Sequence, residues 1–184
     1  MGEITLLLGR AREGDKAALD SIFELLHPEL RSIAHRRLMR HQRDGAFNTT
    51  ALVNECYLKL VPRDNLTPAD RSHFLAYAAT VMRSIIVDAA RAANADRRGG
   101  DAQQLTLDTA LLETIPNPAN EILDVHNALE DLRRIDARLV SVVEMRFFAG
   151  MGDEEIAGVL GITARTVRRD WAKARLLLAH ALRA

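Results

Sequence analysis

Residues 153–175 read DEEIAGVLGITARTVRRDWAKAR, and this spacing admits one local fold: two short helices joined by a glycine turn. Asp153, Glu154 and Glu155 put negative charge in a first turn, where the helix dipole favours it. Ile156, Ala157, Val159 and Leu160 supply the buried face. Gly161 fits the C-terminal stop, because a left-handed backbone costs glycine little. Ile162 plugs the turn, and Thr163 caps the second helix by accepting from the amide of Thr166. That helix buries Val167, Trp171 and Ala174 and leaves Arg165, Thr166, Arg168, Arg169 and Lys173 on its other faces. A basic run alone usually marks a solvated surface. Preceded by a complete helix and a capped turn, it marks a helix-turn-helix suited to the DNA major groove.

The remaining sequence is helical in character. Of its 184 residues nearly half are apolar, yet only 4% are aromatic, and β-branched runs are short, which favours an all-α protein. The formal net charge is zero, unlike many nucleic-acid binders. The sum hides a polarity along the chain. Residues 164–184 carry six Arg or Lys against Asp170 alone, and residues 99–131 carry only acidic charges. The single cysteine, Cys56, excludes an internal disulfide, and no Cys/His cluster has zinc spacing. No metal and no cofactor is expected. No apolar stretch reaches membrane-spanning length and no export signal is legible, so a cytoplasmic, nucleoid-associated protein without membrane contact is expected.

Apolar spacing predicts helices over residues 4–13 and 16–40, with Gly14 marking the break and Asp15 the N-cap of the second. Residues 41–48 read as a loop. A third helix is expected from about Thr50 to Val61, ending before Pro62, and a fourth over residues 71–98, ending at Gly99-Gly100. Residues 99–120, with two glycines and two prolines, read as a flexible linker. Helical spacing then resumes through Ile122, Val125, Leu129, Leu132, Leu139, Val142, Val143 and Phe147. The expected organisation is two small helical domains, 1–98 and 121–184, on a tether.

The stretch VVEMRFFAGMGDEEIAGVLGITARTVRRDWAKAR resembles region four of the extracytoplasmic-function (ECF) sigma factors of bacterial RNA polymerase. ALVNECYLKL and FLAYAATVMRSIIVDAARAANADRRGG resemble their region two. The resemblance spans nearly the whole chain. It implies a non-enzymatic protein that binds core RNA polymerase and promoter DNA. Its minus-thirty-five contacts would fall to Arg165, Thr166, Arg168, Arg169 and Lys173. The fourth helix would melt and read the minus-ten element through Arg83, Asp88, Arg91, Asn94, Arg97 and Arg98. The loop at 64–71 would hold a flipped base, whose extrusion costs a few kcal/mol. The third helix would dock on the clamp coiled coil of the β′ subunit, with Asn48, Asn54, Glu55, Leu58 and Lys59 as the polymerase-facing residues. Asp88 has a local reading as well, as an i,i+3 partner of Arg91.

One departure bears on regulation. Members of the family carry an acidic cluster just before the leucine aligned with Leu52, whereas this chain reads Asn48, Thr49, Thr50, Ala51. A phosphate on threonine adds about −1.5 to −2 charge, and a helix N-terminus favours it further. Phosphorylation of Thr50, or second to it Thr49, by a Ser/Thr kinase would restore the missing negative patch. The plainer role for either threonine is the N-cap. An anti-sigma factor is a further candidate partner, and closure of the two domains through Asp101, Asp108 and Glu113 is expected to mask DNA contacts.

No catalytic constellation accompanies these motifs: no phosphate-binding glycine loop, no HExxH, and no nucleophile with an evident base. The alternative from another class is a polymerase-independent helix-turn-helix repressor or activator, with residues 1–98 as a sensing or dimerisation unit.

Overall fold

The structure, a computed structural model, describes residues 2–38, 48–61, 68–99 and 118–183. Among the described residues every regular element is a helix: α1 (Glu3–Arg12), α2 (Lys16–Leu25), α3 (His27–Leu38), α4 (Thr49–Leu60), α5 (Arg71–Gly99), α6 (Pro118–Ile135), α7 (Ala137–Val143), α8 (Asp153–Leu160) and α9 (Ala164–Ala181). The all-α expectation holds.

Local chemistry sets most boundaries. Gly14 turns the chain at φ +90°, and Asp15 caps α2 by accepting from the Ala18 amide at 3.2 Å. The helix expected over 16–40 is two helices, divided at Leu26. Pro28 lacks the amide hydrogen that would continue the ladder of α2 but is tolerated in a first helical turn, and α3 starts anew at His27. Helix α6 begins at Pro118, inside the stretch read as linker, and proline's fixed φ suits a first helical turn. Residues 100–117, which include Asp101, Asp108 and Glu113, lie outside the described residues, as do residues 64–67 of the 64–71 loop.

Asp136 caps α7 by accepting from the Arg138 amide at 3.0 Å. Helix α7 runs directly into a π-helical turn, Glu144–Ala149, which stops at Gly150 with φ +71°. Glu144, Met145 and Ala149 in this turn are buried. Phe147, expected in the core by its spacing, is 48% exposed, and Val125 is 39% exposed.

The two halves pack against one another. One apolar cluster joins Leu8, Ile22, Leu30, Ile33, Leu52, Phe74 and Met82 of the N-terminal half to Val142, Met145, Met151, Ile156 and Val167 of the C-terminal half. A smaller cluster, Leu129, Leu132, Leu139, Val140, Val143 and Ala174, belongs to the C-terminal half alone. Helix α5 lies along α6 and touches the π turn. Across the same seam Arg36 Nη2 donates to the Ala149 carbonyl at 2.8 Å.

Candidate nucleic-acid and polymerase interfaces

The helix-turn-helix forms as its residues dictate. Glu155 accepts from the Gly152 amide at 3.0 Å, closing the start of α8. Gly161 ends α8 at φ +64°. Thr163 Oγ1 accepts from the Thr166 amide at 3.2 Å and so caps α9. Ile156 and Val167 are fully buried, and Trp171 lies partly buried between the two clusters. Two arginines flank its ring, Arg146 at 5.2 Å and Arg175 at 5.9 Å.

On the outer faces of α9, Arg165, Arg168, Arg169 and Lys173 are exposed and Thr166 is half-buried. Arg168 reaches Asp153 at 3.4 Å, and Arg146 pairs with the same carboxylate. Arg169 lies 3.4 Å from Asp170. Asp170 is only 2% exposed. It accepts from Arg138 Nε at 2.7 Å, which ties α9 to α7 and sets the angle at which α9 projects. Sequence spacing placed Asp170 among the basic residues but carried no sign of this anchoring role.

Helix α4 presents a second surface. Thr50, Asn54, Glu55 and Leu58 are exposed, while Leu52, Val53, Cys56 and Leu60 are buried. Residues 50, 54 and 58 are four apart and form one stripe. Leu58, at 58% exposure, is a surface residue and not a core one. The N-cap is Asn48, whose Oδ1 accepts from the Ala51 amide at 2.8 Å. Neither Thr49 nor Thr50 is the cap, and the helix starts one residue earlier than expected. Lys59 turns aside to pair with Asp88 of α5 at 2.8 Å. Beside the stripe, Tyr57 donates to Asp20 of α2 at 2.5 Å. Burial pushes the Cys56 thiol up to about 12 and leaves it unreactive.

Helix α5 carries the residues expected at the minus-ten element, and several of them are engaged within the chain. Arg83 is turned into the seam, its side chain 12% exposed and 3.0 Å from Glu144. Glu130 lies 3.6 Å from the same guanidinium. Arg83 Nη1 lies 2.9 Å from His126 Nδ1, and Arg91 Nη2 lies 3.1 Å from His126 Nε2. Asn94 donates to Asn120 at 2.9 Å. Asp88 is exposed and within 3.9 Å of Arg91. The side chains of Arg97 and Arg98 lie outside the described residues. Burial, and then the Arg83 guanidinium, hold His126 below the ordinary histidine range.

The sequence reading missed two features. One is the buried carboxylate of Glu144, which no local pattern marks. The other is an apolar groove of about 660 Å³ between α6, the π turn and α9, lined by Val125, Phe147, Trp171, Leu176 and Leu182 among others. Leu176 is 74% exposed, a signal visible only once the faces of α9 are known.

A helical chain that ends in a helix-turn-helix, with a row of exposed cations on the second helix, has the form of a DNA-reading transcription factor. The family model described as ECF sigma factor matches residues 1–184. The chain belongs to that family. It is therefore an RNA polymerase sigma factor, and core polymerase and promoter DNA are its partners. The comparison with curated proteins found no match. No described helix is long and apolar enough to cross a membrane.

Proposed function

We propose that this sigma factor is gated by phosphorylation of Thr50, with Thr49 as the second candidate, and that the phosphate restores a negative patch on the polymerase-docking face of α4. The observation that carries the reading is the assignment of the cap to Asn48. Thr50 stands exposed in the first turn, at the head of the Asn54 and Leu58 stripe. A phosphate there meets the positive end of the helix, and its three oxygens offer charge-assisted bonds to arginines of a partner. In this reading Asn54, Glu55 and Leu58 dock on the β′ clamp coiled coil. Asn48 and Lys59 lie at the edge of that surface, each already engaged within the chain.

The promoter-reading roles follow the two helices described above. The outward cations of α9 read the minus-thirty-five element, arginines taking guanine edges or phosphates. The polar face of α5 takes the minus-ten element. A Ser/Thr kinase is the implied upstream partner, and an anti-sigma factor remains a candidate second regulator.

In-vitro transcription with purified core polymerase tests the gate. Kinase-treated protein and Thr50→Glu are expected to bind core and initiate, and unmodified protein and Thr50→Ala are expected not to. Equal activity of all four forms would overturn the gate. Promoter binding without any dependence on polymerase would favour the repressor reading.

A further inference from the structure

The residues of α5 that face α6 form one stripe. Arg83, Val87, Ala90, Arg91 and Asn94 recur at helical spacing; Val87 and Ala90 are buried, and the three polar members are all engaged by side chains of the C-terminal half. Asn94 meets Asn120, Arg91 meets His126, and Arg83 meets His126, Glu130 and Glu144. We infer that the C-terminal half is a built-in competitor of DNA for this face, with Glu144 standing where a backbone phosphate would stand. The inference rests on the reading of α5 as the minus-ten helix.

Glu144 is suited to the role. It is 7% exposed, and one carboxylate gathers Arg83 at 3.0 Å, Arg133 at 3.3 Å and the Thr80 hydroxyl at 3.3 Å. An anion held by two guanidiniums and a hydroxyl mimics the oxygen set of a phosphate. Arg83 is imperfectly satisfied in this state, since its buried Nε meets no acceptor among the described residues. A phosphate can serve that donor after opening, so exchange of partners meets less resistance than rupture of a complete network. The apolar part of the seam, with Val142 and Met145 packed against the N-terminal core, closes only while Arg83 has a partner, because an unpaired buried guanidinium opposes the burial. Closure therefore depends on a contact that DNA itself can replace. The free protein is expected to bind single-stranded DNA weakly, and any event that separates α5 from α6 unmasks the stripe.

The test uses the full chain as Glu144→Gln, with Glu144→Ala as a second variant because a glutamine oxygen can still accept from arginine. Glu13→Gln, at an exposed site on the far side of the sequence, controls for the same change in net charge. Affinity for a fluorescein-labelled random single-stranded DNA pool is read by anisotropy, and the radius of gyration by small-angle scattering. Both Glu144 variants are expected to expand the particle and to tighten DNA binding about fivefold or more, the ordinary range for a coupling between sites, and adding Arg83→Ala is expected to cancel the gain. Expansion without tighter binding would show that α5 does not read DNA while leaving the closure intact. Tighter binding without expansion would overturn the masking, and neither change would overturn the role of Glu144.

Discussion

Gly150 offers the sharpest check on how the two halves meet. It ends the π turn at φ +71°, and a Cβ built on it would run into the Arg36 guanidinium, which belongs to the other half and donates to the neighbouring Ala149 carbonyl at 2.8 Å. Gly161 is the natural reference: it has φ +64° but open space around its Cβ. Alanine at either position carries the left-handed penalty of about 1–2 kcal/mol. Gly150→Ala also displaces Arg36 and loses its hydrogen bond, about 1 kcal/mol more. The expected losses are therefore about 2–3 kcal/mol at Gly150 and about 1–2 kcal/mol at Gly161, a separation of roughly 2–4 °C in melting temperature for a chain of this size. Urea denaturation followed by circular dichroism measures both. An Arg36→Ala background should erase the difference, because the displaced group is gone, giving a coupling of about 1 kcal/mol in the double-mutant cycle. If Gly150→Ala costs the same with and without Arg36, the guanidinium does not pack there in solution and the closed arrangement fails with it.

Asp170→Ala removes the buried partner of Arg138, whose own side chain is 44% exposed and can rehydrate, so the loss should be about 2 kcal/mol, below the range for a fully buried pair; an unchanged urea midpoint would dismiss Asp170 as the anchor of α9. Lys173→Ala should weaken promoter binding on all sequences alike and reduce the salt slope by about 1, and an undiminished slope would remove Lys173 from the phosphate contacts. His126 faces Arg83 and Arg91 of α5 and Glu130 and Arg133 of α6. Closure depresses its pKa, so the contribution of the seam is fully present above the ordinary histidine value of about 6.5 and weakens as pH falls below it. Single-stranded DNA binding should accordingly gain more between about pH 7.5 and about pH 5.5 in the native chain than in His126→Gln, and parallel profiles would rule out the histidine as a contributor. The Cys56 thiol, pushed up to about 12 by burial, should react with disulfide reagents far more slowly in the folded chain than in urea; rapid native labelling would mean that α4 opens.

What the sequence determined by itself was whatever local chemistry controls. The glycine turn of the helix-turn-helix, the Thr163 and Asp15 caps and the apolar faces of α8 and α9 all stand where spacing put them, because each depends on residues within one turn of one another. The family was legible for the same reason, its motifs being contiguous. Pro28 could have divided the helix expected over 16–40, but a strong apolar period ran through it. Tertiary structure decided the rest. Whether Leu58 and Phe147 face solvent and where Arg83 points depend on which helices lie alongside. A helical period marks a face as apolar or polar but does not name its partner. Arg83 is the clearest case: its position on α5 reads as a DNA contact, and only the approach of a carboxylate 61 positions later in the chain, Glu144 at 3.0 Å, turns it inward.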